Sequence, residues 1–383
     1  MRVAIISGSF PPIECGNSEG TQHLCLTLAR LGLEVELVTT NTPELAVLPS
    51  RSLDFGLRPE IRRWNFRSAP KLVEIVRRLA PDVVHIEYPT VPYGWHPMIN
   101  LFPLILRLLK PQYPVVTRLH EFSCAHPLRK LSVLPLVLGS HRIIVPAEIE
   151  RRGVEQLLPL VKSKIIVVPV GTNIAVTDDP EFERARWRDR LGVDEKQTLL
   201  CYFGFLSKTK DIETLLRAVR LVAKSGARVK LLMIAELDKD RNLRHRVISN
   251  LIEELALSET IVWTGYTDAT HLSNFLKSAD VIVLPFKDGV SFRRSTFMAG
   301  IAHGLPVITT LREEHPDGLL HRENVMLVPV GDAQALVDAL HDVLSSSQLR
   351  RRLSVGAKKL AERFSWENVG RAVLAVYLEV TTQ

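Results

Sequence analysis

Residues 261–285 read IVWTGYTDATHLSNFLKSADVIVLP, and this stretch decides the fold class of the chain. Short apolar runs rich in Val and Ile open and close it, at residues 261–265 and 281–285. Between them, residues 270–277 place apolar side chains at helical spacing. Two mainly apolar strands joined by a helix are typical of a βαβ unit in a parallel sheet that is covered on both faces. The stretch therefore predicts an α/β fold.

The same alternation of apolar strands and amphipathic helices extends over the whole chain. It predicts one doubly wound, Rossmann-like parallel-sheet domain at residues 1–173, a second at residues 174–366, and a last helix at residues 367–383. The polar stretch PVGTNIAVTDDP, residues 169–180, is typical of a connection between domains. The predicted strands are residues 3–7, 34–39, 83–86, 115–119, 142–145, 164–168, 198–204, 230–235, 261–265, 281–285, 307–310 and 325–329.

Composition favours a folded protein in a reducing compartment. Of 383 residues, 46% are apolar and 24% are charged, which is enough apolar surface for a full core. The four cysteines show neither CxxC pairing nor metal-ligand spacing. The opening MRVAIISGSFPP lacks a signal-peptide pattern, and the longest apolar runs fall short of the ~20 residues that a membrane span needs. We therefore expect a cytoplasmic protein, soluble or peripheral at the inner face of the membrane.

Positive charge is concentrated in the first half. Residues 1–173 hold 20 Lys and Arg against 14 Asp and Glu, whereas the remainder holds 29 against 28. Residues 62–78 form one basic tract, and Arg129 with Lys130 opens the apolar segment LSVLPLVLG. Such a pattern indicates either contact with anionic lipid or an acidic substrate, or an ordinary solvated helix face. Nothing in the sequence indicates nucleic-acid binding.

The first βα turn, residues 8–20, contains three glycines but no GxGxxG fingerprint, which argues against a dehydrogenase. Gly16 and Asn17 are placed to present backbone N–H groups to a phosphate at the start of the following helix. The alternative is a long turn that uses glycine only for its backbone angles.

Several blocks of the sequence resemble a known family. In order, the blocks are FPPIECGN (10–17), VVHIEYP (83–89), VVTRLHE (115–121), IIVVPVGTN (165–173), YFGFLSKTKDIETLLRAV (202–219), the opening stretch (261–285), AHGLPVITT (302–310), ENVMLVPVGD (323–332) and FSWENV (364–369). Their order and spacing resemble the family 4 glycosyltransferases of GT-B fold, which use nucleotide sugars and retain the anomeric configuration. The resemblance implies an active site in a cleft between the two domains, with the last helix packing back on the first.

The resemblance also implies how the donor diphosphate is held. Lys210 matches the family's phosphate-binding lysine. The family usually has an arginine directly after the glycine of the preceding turn, where this chain has Phe205, and Lys208 is the candidate for the missing charge. Gly265 and Tyr266 match the segment that clasps the nucleotide base.

A second cationic cluster, DGVSFRRST at residues 288–296, leads into a predicted helix. We expect Arg294, Ser295 and Thr296 to bind the diphosphate, with Ser295 or Thr296 as the N-cap. The family usually has two glutamates here, at positions that fall near Ser291 and on Ala299, and neither is acidic. Asp288 is the candidate for the sugar contact that the first glutamate makes in the family.

On the first domain, His120 matches the histidine that the family places beside the reacting sugar. Glu121 is a candidate to orient its ring or to bind the acceptor. Glu87 and Tyr88 are candidates for the acceptor-binding surface. His120 and Lys210 are the candidate catalytic residues.

The sequence therefore predicts a metal-independent retaining glycosyltransferase. Its co-substrate is a nucleotide diphosphate sugar, UDP- or GDP-linked, and its acceptor is a glycan, a lipid-linked molecule or a small molecule. Two alternatives stay open. The first is a catalytically silent GT-B protein that binds a nucleotide sugar as a regulatory subunit, which the missing glutamates and Phe205 favour. The second is a sugar-nucleotide epimerase, for which no acid and base pair is evident.

Overall fold

The computed structural model describes residues 1–13, 16–46, 53–89, 92–94, 96–110, 112–123, 125–172, 174, 176–240, 242–312 and 316–382. The chain divides into two compact units. Unit 1 comprises residues 1–173 and 364–383, and unit 2 comprises residues 174–363. None of the described helices is long and apolar enough to span a bilayer. Cys25 and Cys201 are buried free thiols, whereas Cys15 and Cys124 lie outside the described residues.

Unit 1 is built on a seven-stranded sheet in the order β3-β2-β1-β4-β5-β6-β7, with neighbouring strands parallel. Its strands are β1 (Arg2–Ser7), β2 (Glu34–Thr40), β3 (Gly56–Ile61), β4 (Val83–Tyr88), β5 (Val115–Leu119), β6 (Arg142–Val145) and β7 (Ile165–Val167). The helices that lie between these strands along the chain are α1 (Gly16–Arg30), α2 (Pro43–Ala46), α3 (Ala69–Leu79), α4 (Met98–Leu109), α5 (Pro127–Ser132), α6 (Leu134–Gly139) and α7 (Glu148–Leu157).

Successive residues of these strands feed two separate cores. Val3 and Ile5 of β1 belong to the core on one face of the sheet, and Ala4 and Ile6 belong to the core on the other. Because strand side chains alternate between faces, a sheet covered on both sides needs an unbroken apolar run, and β1 supplies one. The order of the strands reverses between β1 and β4, and ligands of such sheets bind at the carboxyl ends of the strands near that switch point.

Unit 2 is built on a six-stranded parallel sheet in the order β10-β9-β8-β11-β12-β13. Its strands are β8 (Thr198–Phe203), β9 (Val229–Ile234), β10 (Ile261–Trp263), β11 (Val281–Leu284), β12 (Val307–Leu311) and β13 (Met326–Pro329). Its helices are α8 (Arg184–Arg190), α9 (Ile212–Lys224), α10 (Leu243–Glu254), α11 (Ala269–Ser278), α12 (Ser295–Ala302), α13 (Ala333–Ser345) and α14 (Ser347–Glu362). The switch point of this sheet lies between β8 and β11.

The last helix, α15 (Trp366–Thr381), belongs to unit 1 and packs on α1. Ser365 caps it by accepting a bond from the amide of Asn368 at 3.2 Å. Trp366 anchors its start, since the indole Nε1 donates to the carbonyl of Thr172 at 2.9 Å and the ring stacks on His23. Its apolar face joins the same core as Val3 and Ile5 of the sheet.

The predicted α/β class with two parallel sheets is confirmed. One strand, β3, was not predicted. It reads GLRPEI, lies at the edge of the sheet, and pairs with β2 through an irregular register. An edge strand has one unpaired side, so it tolerates proline and polar residues and lacks the apolar run that marks the inner strands.

Candidate active site

Lys210 lies at the switch point of the unit 2 sheet, in the loop that joins β8 to α9. Its side chain is buried, and its Nζ donates to Oγ1 of Thr296 at 3.3 Å. The same Nζ lies 4.0 Å from the centre of the Phe286 ring, directly after β11. Lys210, in the loop after β8, therefore contacts the segment that follows β11.

Gly204 makes this approach possible. It ends β8 with a φ of +130°, a backbone conformation that side chains disfavour. A Cβ placed there would lie 2.9 Å from Cγ2 of Thr296. Only glycine therefore allows α12 to start so close to the end of β8.

Arg294, and neither Ser295 nor Thr296, is the N-cap of α12, so the predicted N-cap was wrong. Its side chain makes no capping hydrogen bond, so the amide groups of the first turn receive no acceptor from their N-cap residue. The guanidinium instead lies 4.3 Å from the centre of the Phe286 ring and pairs with the carboxylate of Asp288. The Arg294 Nε is buried and has no hydrogen-bond partner in the structure.

Asp288 is one carboxylate beside two cations, so it balances only part of the positive charge of this cluster. Burial and, to a smaller extent, the charge of Arg294 together lower the pKa of Lys210 to about 8, and the charge of Asp288 opposes them. A helix N-terminus carries partial positive charge, so a cation at its N-cap costs free energy. Lys210 forms no ion pair with any carboxylate of the described residues. Two cations and a run of uncapped amides are therefore arranged as an anion site.

Arg244 holds the Lys210 loop in shape, a role that the sequence did not reveal. It follows the first residue of α10, and its guanidinium donates to the carbonyls of Leu206 at 2.8 Å and Lys210 at 3.0 Å. It also forms a two-pronged ion pair with Glu213 at 3.0 and 3.2 Å. Five donors in a rigid fork suit arginine to this bridging of a loop and a carboxylate.

Replacing Arg244 by alanine is expected to weaken donor binding and to destabilise unit 2. Two carbonyls and the Glu213 carboxylate lose their donor, which costs about 1–3 kcal/mol of unfolding free energy. The loop that carries Lys210 also loses its fixed geometry, so the KM for donor should rise more than kcat falls. Chemical denaturation and donor kinetics on the variant measure both effects. Arg244→Lys, which cannot bridge all three acceptors, should fall between the two proteins, and an unchanged donor KM in the alanine variant would contradict the assignment.

The other unit 2 candidates lie at the surface. The side chains of Lys208 and Ser295 are exposed, and Phe205 is 87% exposed. Gly265 has a φ of +69°, and Tyr266 beside it is 90% exposed.

The two positions at which the family usually has glutamates, here near Ser291 and at Ala299, differ in their burial. Ala299 is fully buried inside α12, so its methyl group is packed in the core of unit 2, whereas Ser291 is half-buried. The side chain of Asp288 is 52% exposed, and its carboxylate pairs with Arg294. The structure therefore places Asp288 in the cation cluster, and its contact with the sugar stays a prediction.

In unit 1, His120 follows β5 and belongs to a buried relay of four side chains: His120, Glu87, His85 and Tyr377. His120 Nε2 bonds one carboxylate oxygen of Glu87, and the other oxygen lies 2.9 Å from Nε2 of His85. Nδ1 of His85 lies 2.7 Å from the hydroxyl of Tyr377 on α15. The His120 ring is the member nearest to solvent, at 10% exposure of its side chain.

Glu87 is a partner of His120, and the structure gives it a different place from the predicted acceptor surface. Burial raises the pKa of Glu87, but the charge of His120 and the hydrogen bonds from His120 and His85 outweigh it and hold that pKa well below its usual range. Both carboxylate oxygens are occupied and the side chain is buried. Tyr88 is also buried, stacked on Tyr93 at 5.7 Å between ring centres, so neither side chain is presented to an acceptor.

Glu121, the predicted orienting residue, is exposed and does not contact the His120 ring. The segment after it is fixed by Glu150 of α7, which accepts bonds from the amides of Phe122 at 2.9 Å and Ser123 at 2.6 Å. Glu150 is another buried carboxylate that the sequence analysis did not single out.

Gly16 and Asn17 form the start of α1, and the Asn17 carbonyl accepts a bond from Oγ1 of Thr21 at 2.8 Å. The two residues before them, Glu14 and Cys15, lie outside the described residues. Among the residues that the structure describes, no group of three or more His, Cys, Asp and Glu side chains is arranged to hold a metal ion.

Two family models match the chain in succession. The model "Glycosyltransferase Family 4" matches residues 18–176, and the model "Glycosyl transferases group 1" matches residues 183–360. The D-inositol 3-phosphate glycosyltransferase of Corynebacterium urealyticum is 25% identical over 420 residues, covering 100% of this chain and 96% of that protein. The phosphatidyl-myo-inositol mannosyltransferase of Mycobacterium leprae is 26% identical over 397 residues, covering 100% of this chain and 98% of that protein.

A solved structure shows the same fold at lower identity. Anabaena HepE, solved in complex with UDP, superimposes with a TM-score of 0.72 at 14% identity, over 98% of this chain and 99% of that one. The fold, the two consecutive models and relatives aligned over the full length all agree. The chain therefore belongs to the family 4 glycosyltransferases, nucleotide-sugar-dependent enzymes of GT-B fold.

Proposed function

We propose that this glycosyltransferase moves a sugar from a UDP- or GDP-linked donor to an acceptor hydroxyl, with retention of the anomeric configuration and without a metal ion. The observation that carries the proposal is the cation cluster of unit 2. Lys210, Arg294 and the uncapped amides of α12 lie together at the switch point between β8 and β11. This is the usual ligand position of such a sheet. Anabaena HepE, with its bound UDP, supports a uridine nucleotide.

The proposed chemistry places growing negative charge at this cluster. As the bond from the anomeric carbon to the β-phosphate oxygen breaks, the diphosphate takes the bonding electrons, and Lys210 and Arg294 stabilise it. The acceptor hydroxyl forms the new bond on the same face and passes its proton to the departing phosphate oxygen. We assign binding of the diphosphate to Lys210 and Arg294, and contact with the transferred sugar to His120.

Thermal-shift screening against UDP, GDP, ADP and their sugars tests the donor class, since a ligand that binds only the folded protein raises its melting temperature by mass action. The proposal expects a shift with a uridine or guanosine diphosphate and its sugar. Slow release of nucleoside diphosphate from that sugar donor should follow. Tight binding without turnover on any acceptor favours the silent protein, and a change of the donor sugar itself favours an epimerase.

Donor affinity is expected to fall as pH rises through about 8, the pKa of Lys210 in the free protein. Below that pH the lysine is charged and attracts the diphosphate, whereas above it the neutral amine does not. The bound diphosphate favours the charged form, so binding near the pKa should take up a proton. Calorimetry in two buffers of different ionisation enthalpy measures this uptake. Lys210→Met should abolish it, and unchanged uptake in that variant would assign the proton to another group.

We further propose that the acceptor is anionic or lipid-linked, and that the basic tract of unit 1 recognises it. Phe66 is 48% exposed between the exposed cations Arg63 and Arg67, a combination suited to an anionic membrane surface. The second basic segment is less suited than predicted, because Nζ of Lys130 is turned inward to the carbonyl of Ser123 at 2.8 Å.

Sedimentation with vesicles tests the membrane surface. Vesicles containing anionic lipid should carry the protein down at low salt and release it at high salt, whereas neutral vesicles should not. Phe66→Ser should weaken the binding. If the protein does not sediment with anionic vesicles at low salt, the membrane is excluded as the surface that the basic tract binds. A soluble acidic acceptor is then the remaining form of the proposal.

A further inference from the structure

The buried relay connects the candidate catalytic histidine to the last helix of the chain. His120 lies after β5, Glu87 and His85 lie on β4, and Tyr377 lies on α15, which is 292 residues from His85 along the chain. His85, Glu87 and Tyr377 are fully or almost fully buried. Buried polar groups in a folded protein are nearly always paired, so these four side chains must match donors to acceptors along the whole relay.

The hydrogen-bond directions follow from the ends of the relay. Burial raises the pKa of Tyr377 well above its usual value, with the charge of Glu87 acting in the same direction, so the phenol keeps its proton. When the His85 ring is neutral, this phenol is the donor to Nδ1 of His85. With Nδ1 accepting, His85 carries its proton on Nε2 and donates to Glu87. The second oxygen of the Glu87 carboxylate accepts from Nε2 of His120.

The other groups that face Glu87 fit this arrangement. Arg118 of β5 lies 4.0 Å from Oε1 of Glu87 and donates to the carbonyl of Pro169 at 2.8 Å, so its charge favours the carboxylate form. Cys25 of α1 is buried nearby, and its thiol pKa is raised by burial and by the charge of Glu87. Tyr93 donates its hydroxyl to the Glu87 backbone carbonyl at 2.9 Å. None of these three neighbouring side chains is a carboxylate, so Glu87 supplies the negative charge of this group.

We propose that Tyr377, His85 and Glu87 are positioning residues that hold His120 in the Nε2–H tautomer and present its Nδ1 to the substrate. Nδ1 of His120 has no hydrogen-bond partner among the described residues, and the ring is the member of the relay with the most exposed side chain. The substrate-facing atom is therefore an acceptor when the ring is neutral and a donor when it is protonated. A hydroxyl of the sugar satisfies either state.

The inference deepens the proposed function and rests on it, because it assigns the atom through which His120 acts on the sugar. It also gives α15 a chemical part in the enzyme besides its apolar packing. A histidine whose ring is held by a carboxylate has a defined tautomer and orientation, and it needs no rearrangement when the substrate arrives.

Nitrogen-15 NMR of histidine-labelled protein tests the tautomer without any assay of turnover. The His120 signals, assigned by their loss in His120→Gln, should show the proton on Nε2 in the neutral form. In Tyr377→Phe, His85 loses the donor that fixes its tautomer, so the His85 signals should move and those of His120 should broaden or shift. A His120 proton on Nδ1 in the wild-type protein, or identical spectra in Tyr377→Phe, would overturn the inference, whether or not the protein is an active transferase.

Kinetics then test the positioning role. Glu87→Gln keeps the shape of the side chain but removes its charge, so kcat should fall by about 10–100-fold with little change in the KM for donor. The nitrogen-15 signals of His120 should also change, because the ring loses the carboxylate that fixes its tautomer. Tyr377→Phe should give a smaller loss of kcat in the same direction.

A matched control separates positioning from general destabilisation. Tyr113→Phe alters a buried tyrosine before β5, at the amino-terminal edge of the sheet, and should leave both kcat and the His120 signals unchanged. If Glu87→Gln does not fold, Tyr377→Phe and the wild-type spectrum carry the test. Wild-type kcat and wild-type His120 signals in both Tyr377→Phe and Glu87→Gln would reduce the relay to a structural element. If the wild-type protein is inactive on every donor, the proposed function is wrong. The NMR measurement still tests the tautomer of His120 in that case.

Discussion

Lys210→Met is expected to lower kcat/KM for the sugar donor by about 10²–10³-fold, the loss typical of a removed group that stabilises developing negative charge. Methionine keeps an unbranched apolar side chain, so the change removes the ammonium group that lies over the Phe286 ring and little of the aliphatic stem. Because burial and Arg294 already lower the pKa of this lysine, the folded protein should not depend on its charge for stability. The melting temperature should therefore stay the same or rise while activity is lost.

Lys224→Met is the matched control for this change. Lys224 is exposed at the end of α9, in the same unit and on the helix that the Lys210 loop enters. Its loss should leave kcat/KM unchanged. Equal losses in both variants would mean that the net charge of unit 2, and no particular lysine, attracts the donor.

His120→Gln is expected to lower kcat by about 10²-fold or more, the usual contribution of a positioned side chain that handles a substrate proton. Glutamine keeps an N–H that reaches toward Glu87, so the buried carboxylate is not left without a donor. Binding of the nucleoside diphosphate alone should be unchanged, because the cation cluster belongs to unit 2.

The two variants thus separate the two parts of the reaction. Lys210→Met should lose diphosphate affinity, whereas His120→Gln should retain it and lose turnover. His141→Gln serves as the control, since His141 lies before β6 at the opposite edge of the same sheet, where its Nδ1 accepts a bond from the amide of Val115 at 3.0 Å. A His120→Gln enzyme with wild-type kcat would show that the resemblance to the family misleads at this position.

Most strands were predictable because they are buried on both faces. A run such as VIVL at β11 has no polar residue to break it, and its length separates it from a helix. The edge strand β3 contains Arg, Pro and Glu and was not predicted, because one of its edges is unpaired and its burial is incomplete.

Lys210, Arg294 and Thr296 were predictable as a group, since they follow strands that are adjacent at the switch point and local sequence marks each turn. The N-cap of α12 was predicted one or two residues late, because serine and threonine are preferred caps and an arginine there has no local advantage. An arginine at that position has a physical reason only when an anion is present.

The partners of His120 were missed for two different reasons. His85 and Glu87 are two positions apart on β4 and so share one face of the sheet, a signal that the sequence carries and that marks a polar pair inside an apolar strand. Tyr377 and Arg244 carry no such signal. Their contacts with His85 and with the Lys210 loop join segments that only the folded chain brings together.

A crystal structure of the protein with the diphosphate that stabilises it best, UDP or GDP, locates the anion itself. We expect the β-phosphate to accept hydrogen bonds from Nζ of Lys210 and from the amide of Thr296 in the first turn of α12, with Arg294 beside it. A diphosphate bound elsewhere on the protein, with Lys210 still bonded only to the hydroxyl of Thr296, would contradict the assignment of the cation cluster as the donor site.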